Sequence, residues 1–332
     1  MGAALHLEVG PAEHFASRSP AWWEHVLGVA RYAARPMATM LDVPWAQVQV
    51  QALHPATEVC EVWRAPGRLR SGEAGPLRWR ASDDVLFAAQ NVAEDDDLEH
   101  ATQLAYERLF TTLDAAGYPH LLRVWHHIAD INAEASGLER YRRFNIGRQN
   151  AFQAHGRGIE GGSVPAASAL GADRHAPLAV YALALRHAPS AVENPRQVSA
   201  YHYPAVHGPR SPTFSRAALA TLGGAVLFVS GTASIVGHRS LHADDVAEQT
   251  RETLRNISAV LAQAREQGTP AWNLDDLRYK VYLRRACDLA LVNDELRQAV
   301  GTEVQAMFLQ ADVCRSDLLV EIEAVVLPQG GW

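Results

Sequence analysis

Glu321 and Glu323 stand two residues apart in LLVEIEAVV, where strand alternation puts Leu319, Glu321 and Glu323 on one face and Val320, Ile322 and Ala324 on the other. Two environments fit that pattern. On a solvated face both groups are ordinary carboxylates. Sunk among apolar neighbours, a carboxyl is driven toward its protonated form, which is what a general acid needs near neutral pH. Cys314 lies seven residues before Glu321, just past the end of an apolar run. A lone cysteine there reads either as a small hydrophobe or as a nucleophile, and no His with an Asn or Asp partner accompanies it in sequence.

A second group is basic and aromatic. In FNIGRQNAF, Arg148 follows Gly147 beyond an expected helix, and in YHYPAVHGPRSPTFSRA, Arg210 and Arg216 stand near Tyr201 and Tyr203. Guanidinium groups bind carboxylates through paired hydrogen bonds, so two of them suit a dicarboxylate. Tyr201 and Tyr203, at i and i+2 of an extended segment, would present two phenols to one ligand. A half-buried edge strand with surface arginines accounts for the same residues.

The elements that must position these groups are clearest in the second half. Apolar stretches at 177–186, 214–222 and 225–231, separated by turn-forming residues, read as strands. Residues 243–267 carry Val246, Thr250, Leu254, Ile257, Val260 and Leu261 at helical spacing behind Asp244 and Asp245. A strand at LRYKVYLRRA, a helix near 288–300 and strands at VQAMFLQAD and LLVEIEAVVLP complete a βββαβαββ order. The first half repeats part of it: a strand in ASDDVLFAAQNV, a helix over 97–117, a strand in HLLRVWHHIADI and a helix over 135–144. LEHATQLAYERLFTTL is similar to DVAEQTRETLRNISAVL, and LLRVWHHIADIN to LRYKVYLRRACDL, which predicts a duplicated α+β unit with a degenerate first copy. The expected boundaries are 1–154, a Gly/Ala-rich linker over 155–176, and 177–332.

With 48% hydrophobic and 20% charged residues the 332-residue chain is of ordinary globular composition, large enough for two cores. Its net charge of −7 argues against nucleic acid as a partner. No apolar run approaches a membrane span, and MGAALHLEVGPAEHF lacks a leader pattern, so a cytoplasmic location is expected. Three widely spaced cysteines suggest neither disulfides nor a thiolate metal site, and the 15 histidines show no HExxH or zinc-ligand spacing. GxGxxG, a P-loop lysine and GxSxG are absent, so the residues suggest no metal, nucleotide or α/β-hydrolase chemistry.

LFVSGTAS, QTRETLRNI and the ending VEIEAVV resemble the YjgF/Rid-type fold. The whole chain, through GRQNAF, YHYPAVHGPRSPTFSRA and LFVSGTASIVGH, is more specific: over roughly residues 45–327 it resembles the chorismatases. The resemblance implies two tandem YjgF/Rid-like domains, no cofactor, chorismate as substrate, and pyruvate with 3- or 4-hydroxybenzoate as products, most like the branch that releases both isomers. It matches Glu321 to the family's acid, which protonates the enolpyruvyl methylene carbon. It matches Arg148, Arg210, Tyr201 and Tyr203 to the carboxylate-holding positions, with Arg216 beside them, and places Gly231 and Thr232 on the pocket wall. Cys314 falls where hydroxybenzoate-forming members carry cysteine and dihydrodiol-forming members a smaller residue. A Rid-type imine deaminase and a non-catalytic carboxylate-binding protein on this fold are the competing expectations, and monomer and homotrimer both remain open.

Overall fold

The structure, a computed structural model, describes residues 4–35, 42–94, 97–135 and 137–328. The chain opens with β1 (His6–Pro11), the short helices α1 (Ala12–Ala16) and α2 (Pro20–Trp23), and strands β2 (Val26–Tyr32), β3 (Trp45–Val48), β4 (Gln51–His54) and β5 (Val59–Arg64). Four of these strands form a sheet in the order β1-β5-β2-β3. Alternation along β5 sends Val59, Glu61 and Trp63 inward, and Cys60 and Val62 outward to Phe15 and Trp23 of the two helices. Residues 4–35, which lie outside the span of the resemblance, therefore contribute two strands and the outer cover of a third sheet.

The first repeat follows as β6 (Arg70–Ala74), β7 (Leu77–Ala81), β8 (Val85–Val92), α3 (Leu98–Ala116), β9 (His120–Ala129), the ribbon β10 (Glu134–Ala135) and β11 (Leu138–Glu139), α4 (Arg140–Ala154), β12 (Ala166–Ala172) and β13 (Leu178–Leu185). The second comprises β14 (Ser190–Val192), β15 (Ala217–Thr221), β16 (Ala225–Thr232), the ribbon β17 (Ile235–Val236) and β18 (Arg239–Ser240), α5 (Val246–Glu266), β19 (Arg278–Leu283), α6 (Leu289–Val300), β20 (Gln305–Gln310) and β21 (Val320–Val326). The sheet orders β12-β9-β13-β8-β7-β6 and β20-β19-β21-β16-β15-β14 correspond strand for strand, and each has one parallel pair, β9 with β12 and β19 with β20. β4 crosses over to extend the second sheet beyond β20. The duplicated α+β architecture is thus present in full.

The paired helices start and stop where side-chain chemistry dictates. The Asp97 carboxylate accepts from the His100 N–H to cap α3, Gly117 ends it at φ +84°, and Asp245 caps α5 through the Glu248 N–H. Each helix layer covers the outer face of its own sheet.

The unit boundary differs from the expected one. Residues 166–172 are an edge strand rather than linker, and 178–185 pair with both β8 and β9 as a central strand of the first sheet rather than opening the second. LAVYALAL is buried on both faces, so its composition carries no sign of which sheet it joins. β6 and β7 escaped notice because RSGEAGPLRWRA is a polar edge hairpin.

The inner faces of all three sheets share one central core. β13 sends Ala179, Tyr181 and Leu183 into it, and β21 sends Glu321, Glu323 and Val325 inward. The first copy is degenerate in this sense: it keeps the fold and lacks the carboxylates.

Candidate active site

Glu321 owes its position to an irregularity in the strand beside it. β16 pairs Val229 with Ala324 and Thr232 with Ile322, so Ser230 and Gly231 together face the single residue Glu323, which is a β-bulge. A Cβ on Gly231 would lie 1.9 Å from Glu321 Oε1, so only glycine leaves room for the carboxyl there. Ser230 fastens the bulge to the first repeat: its hydroxyl donates to the Ser215 carbonyl at 2.5 Å and accepts from the Ala167 N–H at 2.9 Å. The site therefore lies where β12 of one repeat meets β15 and β16 of the other.

Glu321 is 4% exposed and Glu323 5%, so the acidic face is buried and not solvated. The two carboxyls are held in opposite states. Glu323 is pushed up by burial, but this is outweighed by Lys280 at 2.8 Å, Arg123 at 2.7 Å and the Ser168 hydroxyl at 2.6 Å, leaving it near pKa 2. Among the described residues Glu321 has no such partners. Burial first, and the negative Glu323 second, raise it to about 8 against the pull of Arg123 and Arg216. At neutral pH Glu321 is a carboxylic acid beside a carboxylate.

Beneath the pair lies a buried network. Lys280 bridges Glu323 and Glu61, at 2.6 Å from the latter, and donates to the Tyr32 hydroxyl at 2.7 Å; Trp125 Nε1 donates to Glu323 at 2.8 Å. Two cations, Arg123 and Lys280, face two acids, Glu61 and Glu323, in the middle of the molecule.

Glu321 opens into a cavity of about 70 Å³. Its walls include Tyr141, Tyr203 and Phe214, and Gly231 and Cys314 lie beside the acid. Three arginines reach it: Arg142, Arg216 and Arg315. Arg216 Nη2 donates to the Tyr203 hydroxyl at 2.8 Å and to the Val198 carbonyl at 2.7 Å. Arg315 stands 5.2 Å from the Tyr203 ring centroid and donates to the His238 carbonyl. His207 also lines the cavity and contacts His238 at 3.0 Å; burial, Arg315 and His238 lower it to about 4, so it is neutral. Cys314 is raised to about 12 by burial and by Glu321, which keeps a thiol rather than a nucleophilic thiolate at this position.

Five of the nine residues singled out from the sequence line this cavity: Glu321, Cys314, Tyr203, Arg216 and Gly231. The others stand back from it. Arg148 is inside α4, not beyond a helix; its guanidinium lies against the Phe144 ring and donates to Asn145 Oδ1 at 2.7 Å. Asn145 in turn bonds the hydroxyl of the wall residue Tyr141, so Arg148 acts on the wall through one intermediary. Tyr201 is in a turn of 3-10 helix and bonds Glu193, because 200–202 is not the extended segment that would align it with Tyr203. Arg210 is exposed, and Thr232 is buried with its hydroxyl on the Ser230 carbonyl. Arg142 and Arg315 were missed. The available signals were the helical spacing of Tyr141, Asn145 and Arg148, which marks the face of α4 behind the cavity, and the adjacency of Arg315 to Cys314.

A neutral acid enclosed with three guanidinium groups is equipped to protonate an anionic substrate while holding its carboxylates. The N-terminal domain model of the FkbO/Hyg5-like chorismatases matches residues 61–184. A 3-hydroxybenzoate synthase from Streptomyces hygroscopicus is 38% identical over 91% of this chain and 92% of its own length. This chain belongs to the chorismatase family. A chorismatase of Streptomyces rapamycinicus is 36% identical, over 83% of this chain and 85% of its own. A chorismatase crystal structure superposes with a TM-score of 0.90 at 32% identity, covering 98% of this chain and 99% of that one. The agreement extends over both repeats and the N-terminal sheet, so that chorismatase shares the three-sheet arrangement. Among the described residues, no helix is long and apolar enough to cross a membrane, and no cluster of His, Cys, Asp and Glu is arranged to hold a metal.

Proposed function

We propose that this chain cleaves chorismate to pyruvate and a hydroxybenzoate, with Glu321 as the proton donor. The observation that carries this reading is the burial of a protonated Glu321 in an arginine-lined cavity next to an ionised Glu323. Chorismate bears two carboxylates and an enol ether. Arg216, an expected ligand, and Arg142 and Arg315 line the cavity with the acid and would bind the carboxylates, whereas Arg148 and Arg210 stand back from it.

Glu321 transfers its proton to the methylene carbon of the enolpyruvyl group. This creates an oxocarbenium-like centre and leaves a carboxylate that balances its charge. The ring carbon–oxygen bond then breaks, its electrons leaving with pyruvate, as the neighbouring ring hydroxyl closes an epoxide and gives up its proton, which restores the Glu321 acid. Loss of a ring proton and opening of the epoxide give the phenol; the atoms of chorismate are fully accounted for by pyruvate and hydroxybenzoate. The carbon that retains oxygen decides between the 3- and 4-isomers. Cys314, a neutral thiol beside the acid, fills space against the ring and excludes the water that would yield a dihydrodiol. The resemblance to hydroxybenzoate-forming members supports this role.

Glu321→Gln tests the assignment, because the amide keeps the shape and cannot supply the proton. Pyruvate release should fall by about 10²–10⁴, while calorimetry still detects chorismate binding. Turnover within a few-fold of the parent would remove Glu321 from the mechanism.

A further inference from the structure

A second cavity, of about 620 Å³, lies on the other side of the Arg123–Glu323–Lys280 cluster and shares no lining residue with the first. It opens between β1, β4 and the β19–β20 edge. Val9, His14, His54, Arg278 and Gln305 stand exposed at its rim. Its walls include the ring cluster of Trp63, Trp125 and Phe228, in which Trp63 lies 5.9 Å from Trp125 and 5.8 Å from Phe228.

Two features indicate what this space accepts. Trp63 and Arg123, each 1% exposed, line it and keep a buried N–H without a partner among the described residues, at Nε1 and Nη1 respectively. Buried donors of this kind are costly unless an acceptor reaches them. The second feature is charge. Lys280 and Arg123 are offset by Glu61 and Glu323, and Glu8 at the wall is held by Arg18 and Arg64. Arg278 donates to the Leu7 carbonyl and forms no ion pair among the described residues, which leaves its own positive charge unmatched at the rim.

We infer that this cavity is a second binding site, for a small planar aromatic monocarboxylate that carries a ring hydroxyl. The ring packs against Trp63 and Phe228, the carboxylate meets Arg278, and the hydroxyl oxygen accepts from Trp63 and Arg123. The deep end suits a neutral acceptor better than an anion because Glu61 and Glu323 are there.

Calorimetry with 4-hydroxybenzoate and with benzoate tests this without reference to turnover. The parent should bind 4-hydroxybenzoate at least fivefold more tightly than benzoate. Trp63→Phe, which removes the unpaired N–H and keeps an aromatic ring at the wall, should weaken 4-hydroxybenzoate at least fivefold. Val9→Trp enlarges an exposed side chain on the inward face that Val9 shares with its strand partner Glu61, and should abolish binding even if Trp63→Phe does not fold. Gly231→Ala, in the other cavity, should leave the affinity unchanged. The inference is overturned if the parent does not bind, if Trp63→Phe and Val9→Trp both bind like the parent, or if Gly231→Ala removes the binding.

Discussion

At the scale of the residue, the chemistry depends on a carboxyl that the fold keeps from ionising. Glu321 titrates near 4.5 in the unfolded chain and near 8 in the folded one. Between those values the native state retains a proton that the unfolded state has lost, so stability falls as pH rises through that window. Glu321→Gln should therefore stabilise the protein, by something of order 4 kcal/mol above pH 8 and little near pH 4; denaturant unfolding at both pH values checks it. The same proton governs the rate: kcat should decline as pH rises through about 8, a limb that Glu321→Gln abolishes. The sequence showed the alternation that aligns Glu321 with Glu323 but not their burial, since a period of two reads the same whether a face meets water or another sheet.

The bulge in β16 is the element that makes room for the acid. Gly231→Ala places a methyl group where Glu321 Oε1 now lies, and the carboxyl must move. Pyruvate release should drop at least 100-fold, while the circular dichroism spectrum stays that of the parent, because the glycine's backbone angle is one alanine adopts. Unchanged turnover would place the working conformation of Glu321 elsewhere. Strands and long helices were legible because periodicity and capping residues write them locally. The short helical turn at 200–202 and the true end of α4 were not, and each displaced one expected ligand, Tyr201 and Arg148. Arg142 and Arg315 come from a helix start and a strand-to-strand loop that only the tertiary fold brings together.

Across the whole molecule, three sheets enclose a polar centre that no single sheet could hold. Glu61 comes from the N-terminal sheet, Arg123 and Ser168 from the first repeat, and Lys280, Glu321 and Glu323 from the second. The repeat was visible in matching helices and strands, but the third sheet was not, because its strands have no counterpart elsewhere in the chain. Glu323→Gln would leave Arg123 and Lys280 facing the single carboxylate of Glu61 and should cost about 3–5 kcal/mol in urea unfolding. It should also shift the alkaline limb of the rate profile to lower pH, since Glu321 loses the negative neighbour that raises it. An unshifted limb would mean that the two carboxyls are not coupled.

The most direct test of the central claim is to incubate the purified chain with chorismate, without added metal or nucleotide, and quantify pyruvate and aromatic products by chromatography. Equimolar pyruvate and hydroxybenzoate, as the 3-isomer, the 4-isomer or both, is the predicted result. Pyruvate with a non-aromatic dihydrodiol would contradict the role given to Cys314, and folded protein that releases no pyruvate would contradict the proposed function itself.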